Sequence, residues 1–76
     1  MARKNSRKRS LRQCFAANMR AARIARGLTQ EALAHGAGLH RTYIGSVEHG
    51  ERNITIDRIE ALARALGMDP RDLMNP

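Results

Sequence analysis

Residues 30–48, Gln-Glu-Ala-Leu-Ala-His-Gly-Ala-Gly-Leu-His-Arg-Thr-Tyr-Ile-Gly-Ser-Val-Glu, leave a chain few ways to fold. Leu33 and Ala37 stand four apart and share one helix face; Ile44 and Val47 stand three apart and share another. Gly38 lies between the two apolar pairs, where a left-handed residue turns the chain without a Cβ penalty. Ala34 is small enough to let two crossing helices approach, and Leu39 can fill the corner between them. The stretch therefore predicts two short helices joined by a tight turn.

The flanking residues extend this into an all-α chain. Phe15, Met19 and Ala22 recur at helical spacing among good helix formers, which predicts a helix over 11–26 ended by Gly27. Leu28 dips toward the core and Thr29 caps a second helix over 30–37, with Glu31 near its positive end. A third helix is predicted over 41–49, with His40 at the cap and Gly50 as a stop. Thr55 caps a fourth over 56–66, whose inward residues are expected to be Ile56, Ile59, Leu62, Ala63 and Leu66, with Gly67 ending it. Asp69 as cap and Pro70 at the first helical position predict a short fifth helix, with Met68 stapled onto Leu73.

Seventy-six residues suffice for one small domain with a modest core, which association with a second copy would help. The chain has a net charge of +7, and its distribution matters more than its total. Arg3, Lys4, Arg7, Lys8, Arg9 and Arg12 give residues 1–12 a net of +6 without one acid, whereas residues 13–76 are nearly neutral. Residues 1–10 carry no apolar periodicity and read as a basic, disordered arm ahead of a domain over 11–76. The arm is either a phosphate-neutralising extension or a solubilising tail.

No window of about 20 apolar residues exists, so no membrane partner is expected. No apolar run follows the basic start as a secretory signal would require. Cys14 is alone, which excludes an internal disulfide and suits a cytoplasmic setting. His35, His40 and His49 lack ligand spacing, and no nucleophile–base pair, glycine-rich phosphate loop or carboxylate dyad is present. Neither a metal, a cofactor nor catalysis is expected.

Four runs in order carry a resemblance: Arg23-x-x-x-Gly27-Leu28-Thr29-Gln30-x-x-Leu33-Ala34, Gly38-x-x-Arg41-Thr42-Tyr43-Ile44, Glu48-x-Gly50-x-Arg52-Asn53, and Leu62-Ala63-x-Ala65-Leu66-Gly67. Over about residues 13–74 the chain resembles the Cro/repressor-type helix-turn-helix family. Within it, Arg-Thr-Tyr-Ile and Arg-Asn are similar to runs in the controller proteins of restriction–modification systems. The resemblance implies a five-helix repressor-like domain that binds double-stranded DNA, usually as a homodimer on a palindromic operator, with the third helix in the major groove. Three features depart from the pattern: Gly45 replaces a polar residue, His40 replaces the usual Ser, Thr or Asp cap, and the basic arm is extra.

With Ile44 and Val47 inward, the outer face of the third helix holds Arg41, Thr42, Gly45 and Ser46, where the resemblance puts base contacts. Arg41 suits guanine O6 and N7, and Thr42 suits a thymine methyl. Gln30 and Thr29, at the amino end of the second helix, suit a phosphate, with His40, Tyr43, Arg52 and Asn53 as further phosphate candidates. The resemblance also implies an ion pair between Arg23 and Glu48 beneath the reading helix. Met68, Leu73 and Met74 either close the monomer core or form a dimer interface.

The function expected is sequence-specific transcriptional regulation. Two other readings differ in kind: an antitoxin-like module that uses this fold to hold a protein partner, and a non-specific nucleic-acid binder driven by the arm.

Overall fold

A computed structural model describes residues 9–76. The basic arm falls almost wholly on residues 1–8, outside the described part. The described residues form α1 (Leu11–Ala25), α2 (Gln30–Ala37), α3 (Arg41–Glu48), α4 (Ile56–Leu66) and a 3-10 helix (Pro70–Met74), with no strand among them. The expected fifth α-helix is thus a 3-10 turn. Its first turn closes through an i→i−3 bond, from the Asp72 N–H to the Asp69 C=O at 2.9 Å.

The domain starts one residue before its apolar periodicity does. Ser10 Oγ accepts from the Gln13 N–H at 3.1 Å while Gln13 Oε1 accepts from the Ser10 N–H at 2.8 Å. This capping box, written Ser-x-x-Gln, makes Ser10 part of the fold rather than of the arm. Thr29 and Thr55 cap α2 and α4 in the same way, accepting from the N–H groups of Ala32 and Arg58.

Gly38 adopts φ +71°, and the Leu39 N–H reaches back to the Ala34 carbonyl at 2.8 Å, which closes α2 and turns the chain into α3. α2 packs on both α3 and α4, while α1 packs on α3 and on the 3-10 helix. The shared core is Phe15, Met19 and Ala22 from α1, Leu33 and Ala34 from α2, Ile44 and Val47 from α3, Leu62, Ala63 and Leu66 from α4, and Leu73. Burying each larger side chain contributes about 1.5–3 kcal/mol.

Two polar side chains fasten the carboxyl-terminal half to α1. Asn18 Nδ2 donates to the Leu73 and Asn75 carbonyls at 2.9 and 2.6 Å. Arg26 Nε donates to the Leu66 carbonyl at 2.6 Å, satisfying an otherwise open acceptor at the end of α4. Both partners lie at least 40 residues away in sequence, so no local pattern announces them.

Two expectations about apolar residues need correction. Leu73 is 0% exposed and completes the monomer core, so it has no surface to offer a second copy. Ile56 is 81% exposed. It shares a face with Ile59, but lies in the first turn of α4, where its side chain stays at the surface. Ile56 instead joins Leu11, Ile54, Ile59 and Met74 around an apolar groove of about 360 Å³.

Candidate nucleic-acid interface

α3 is held from below and bare on top. Ile44 and Val47 are buried, which leaves Arg41 and Thr42 exposed at its amino end. Among the described residues neither side chain meets a carboxylate, so both are available to a ligand. His40 caps the helix through Nδ1, which accepts from the Thr42 N–H at 3.1 Å. An imidazole nitrogen in that role carries no proton.

Beneath α3, Glu48 gathers three elements. Arg23 of α1 donates through Nε to Glu48 Oε2 at 2.6 Å and through Nη2 to Oε1 at 3.1 Å. Arg23 Nη1 also donates to the Leu28 carbonyl at 2.8 Å, which steadies the α1–α2 loop. The hydrogen bond to Glu48 raises the Arg23 guanidinium above its ordinary pKa, against the lowering effect of burial, and Coulomb attraction to Glu48 adds to the rise. The two side chains are only 13% and 3% exposed. From α2, Gln30 Nε2 donates to the same Glu48 Oε1 at 3.0 Å.

This arrangement alters the expected role of Gln30. One Nε2–H is committed to bracing α3 through Glu48, which leaves the second N–H and Oε1 of the amide, beside the backbone N–H groups at this end of α2, to meet a ligand. Thr29 Oγ1 accepts from the Ala32 N–H as the cap of α2, and its hydroxyl proton donates to no group among the described residues.

Ser46 and Tyr43 also differ from the expected picture. Ser46 Oγ donates to the Tyr43 carbonyl at 2.9 Å and accepts from Arg52 Nε at 2.9 Å, so its proton is committed within the protein. Ser46 positions Arg52 instead of presenting a free hydroxyl. The Tyr43 hydroxyl is buried without a hydrogen-bond partner, so it does not reach a surface where phosphate could bind. Two guanidinium groups lie over the Tyr43 ring, those of Arg52 and Arg58 at 5.3 and 4.9 Å from its centroid. Arg58 comes from α4 and was no part of the sequence expectation; only the tertiary fold brings it to Tyr43. Asn53 is exposed and lines the apolar groove.

Gly45 leaves an indentation in the middle of α3. Gln30, Arg41, Thr42, Gly45 and Ser46 line an open notch of about 390 Å³ on the helix's outer side. Of the four residues expected on this face, the structure presents Arg41 and Thr42 as free side chains, Gly45 as an indentation, and Ser46 as a holder of Arg52. No helix among the described residues is long and apolar enough to cross a membrane.

The helix-turn-helix family pattern matches residues 19–73. Control protein C.BamHI of Bacillus amyloliquefaciens is 40% identical over 67 residues, covering 87% of this chain and 83% of its own length. Control protein C.SmaI of Serratia marcescens is 50% identical over 56 residues, covering 74% of this chain and 67% of its own. The crystal structure of the restriction–modification controller protein C.AhdI from Aeromonas hydrophila superimposes with a TM-score of 0.80 at 45% identity, covering 82% of this chain and 94% of that one.

Proposed function

The chain belongs to the helix-turn-helix family of DNA-binding transcriptional regulators, and from that premise we propose that it controls a restriction–modification operon by binding a palindromic operator as a homodimer. The observation that carries the reading is the state of α3. Its apolar side is anchored by Ile44 and Val47, its end is braced through Glu48, and Arg41 and Thr42 stand free at the end that would enter a major groove. Arg41 reads a guanine through O6 and N7, and Thr42 meets a neighbouring base, such as a thymine methyl.

Phosphates then flank α3. The backbone N–H groups at Thr29 and Gln30 offer one contact at the positive end of α2. Arg52, Asn53 and His40 offer others, with Arg52 already oriented by Ser46 and Tyr43. The arm adds charge to this footprint. Deleting residues 1–8 removes Arg3, Lys4, Arg7 and Lys8 while sparing the Ser10 cap. It lowers the salt dependence of binding by about 0.9 in log–log slope for each phosphate that the arm no longer neutralises.

The second copy docks on the apolar edge of Leu11, Ile54, Ile56, Ile59 and Met74. Leu11 and Ile56 are 59% and 81% exposed, an apolar surface that a small domain gains by covering. Met68 is partly buried against the core and lies outside this groove. A twofold dimer of this kind sets two reading helices about 34 Å apart, one turn of DNA.

Selection of binding sites from a random duplex library at physiological salt tests the proposal. The expected product is a palindrome with half-site centres about 10 base pairs apart. Tight binding to every duplex without enrichment would instead assign the binding to the basic arm, and no binding at all would point to a protein partner.

A further inference from the structure

Gly45 and Gln30 fit one another in a way that extends the recognition surface beyond α3. A Cβ placed at Gly45 would lie 3.5 Å from Gln30 Oε1, 3.8 Å from Nε2 and 3.9 Å from Cδ. The amide of an α2 residue thus lies across the one position on the outer face of α3 that has no side chain. Its orientation is set by chemistry: Glu48 Oε1 is a carboxylate oxygen, so the NH₂ group must face it, and Nε2 donates to it at 3.0 Å. Oε1 therefore points the other way. It accepts no hydrogen bond from the described residues and is not among the buried unpaired atoms, so it is open to the notch that Gln30 shares with Arg41, Thr42 and Gly45.

We propose that the Gln30 amide, laid across Gly45 and held by Glu48, reads the major-groove edge of an adenine. An outward carbonyl oxygen suits a base edge and not a phosphate, because phosphate oxygens have nothing to donate. Adenine presents an N6 amino donor beside the N7 acceptor, and the amide has Oε1 and one remaining N–H to meet them. Arg41 lies one helical turn before Gly45 on the same notch, so the two side chains read neighbouring base pairs of one half-site. On this assignment one specificity determinant comes from α2, and Gly45 acts by leaving room for it. The inference rests on the reading of α3 as the groove-facing helix.

The test measures competition binding of the full chain to its selected duplex and to each single base-pair replacement. The proteins compared are the wild type, Gln30→Met and Gly45→Val, with thermal melting of each as a control for folding. Wild type prefers A·T at one position per half-site by about 5- to 150-fold, the range of a good bidentate base contact. Gln30→Met keeps the length of the side chain and lacks the amide, so it loses that preference and retains the one read by Arg41. Gly45→Val covers the amide and loses the same preference, although residue 45 itself offers no hydrogen bond in either form. Equal weakening of all duplexes by Gln30→Met would assign Gln30 a bracing or phosphate role and overturn the inference, as would unchanged preferences in both variants. Either result would leave the enriched operator, and with it the proposed function, standing. A wild-type protein that enriched no site would remove both.

Discussion

The Glu48 carboxylate accepts from Arg23 Nε, Arg23 Nη2 and Gln30 Nε2 while its side chain is only 3% exposed. A buried pair of this kind is not a dependable source of net stability, because desolvation offsets much of the attraction. Removing one partner is a different matter, since the Arg23 guanidinium would remain largely enclosed without its counter-charge. Glu48→Ala is expected to cost about 3–5 kcal/mol, whereas Glu51→Ala, at an exposed position, stays within about 0.5 kcal/mol. Urea denaturation of the two variants checks this, and equal midpoints would contradict it. Tyr43 makes the opposite case. Its buried hydroxyl has no partner among the described residues, so Tyr43→Phe removes an unsatisfied group and keeps the ring against the Arg52 and Arg58 guanidinium groups. Stability is expected to hold or to rise by about 1 kcal/mol; a clear loss would mean that the hydroxyl is paired in solution.

At the scale of elements, two glycines of the helix–turn–helix obey different physics. Gly38 has φ +71°, which an alanine adopts at a cost of about 1–2 kcal/mol. Gly45 has helical geometry, and an added Cβ meets Gln30 at 3.5 Å, an ordinary contact. Gly38→Ala is therefore expected to lower the melting temperature. Gly45→Ala is expected to raise it, recovering up to about 1 kcal/mol of helix propensity. The 3-10 helix supplies a pH-dependent element. Hydrogen bonds from the Arg71 side chain and then its backbone N–H hold the Asp69 carboxyl down from 3.8 to about 2. Because the folded value is the lower one, the cap's contribution is complete above the ordinary carboxylate range and is lost as pH falls toward about 2. The side chain is exposed, so the effect is local. An NMR titration of the Asp69 carboxyl carbon should give a midpoint near 2, and a midpoint near 3.8 would show that the pairing does not persist in solution.

At the scale of the whole molecule, the apolar residues divide by where they end up. Leu73 is buried at 0% and Ile56 exposed at 81%, although spacing marks Ile56 as inward and leaves Leu73 open between core and interface. Ile56→Glu is expected to abolish the dimer in sedimentation equilibrium while leaving monomer stability within about 0.5 kcal/mol, since the side chain packs on little in the monomer. Leu73→Ala is expected to cost about 2–5 kcal/mol in the folded monomer. A dimer that survived Ile56→Glu would move the twofold interface away from this groove.

Local chemistry was legible in the residues themselves. Thr29 and Thr55 cap their helices because a hydroxyl just ahead of a helical run meets an N–H that has no other partner. Gly38 marks the turn because only glycine adopts its backbone freely, and the spacing of Leu33, Ile44, Val47, Leu62 and Leu66 marks the buried faces because helical period dictates which side chains share a side. The Ser10 capping box was equally local and sits in plain sequence beside the basic arm. What spacing does not encode is where the bundle ends and which distant groups arrive at a given surface. Ile56 shares the α4 face of Ile59 yet stays exposed at the rim of a groove, and Leu73 is buried in a segment that Asn18 fastens across the bundle. Arg58 reaches Tyr43, and Gln30 reaches Glu48 across Gly45, only because α2, α3 and α4 cross as they do. Helical period and capping act over a few residues and can be read along the chain. Partnership between side chains depends on the three-dimensional distance between elements, and only the packed core sets that distance.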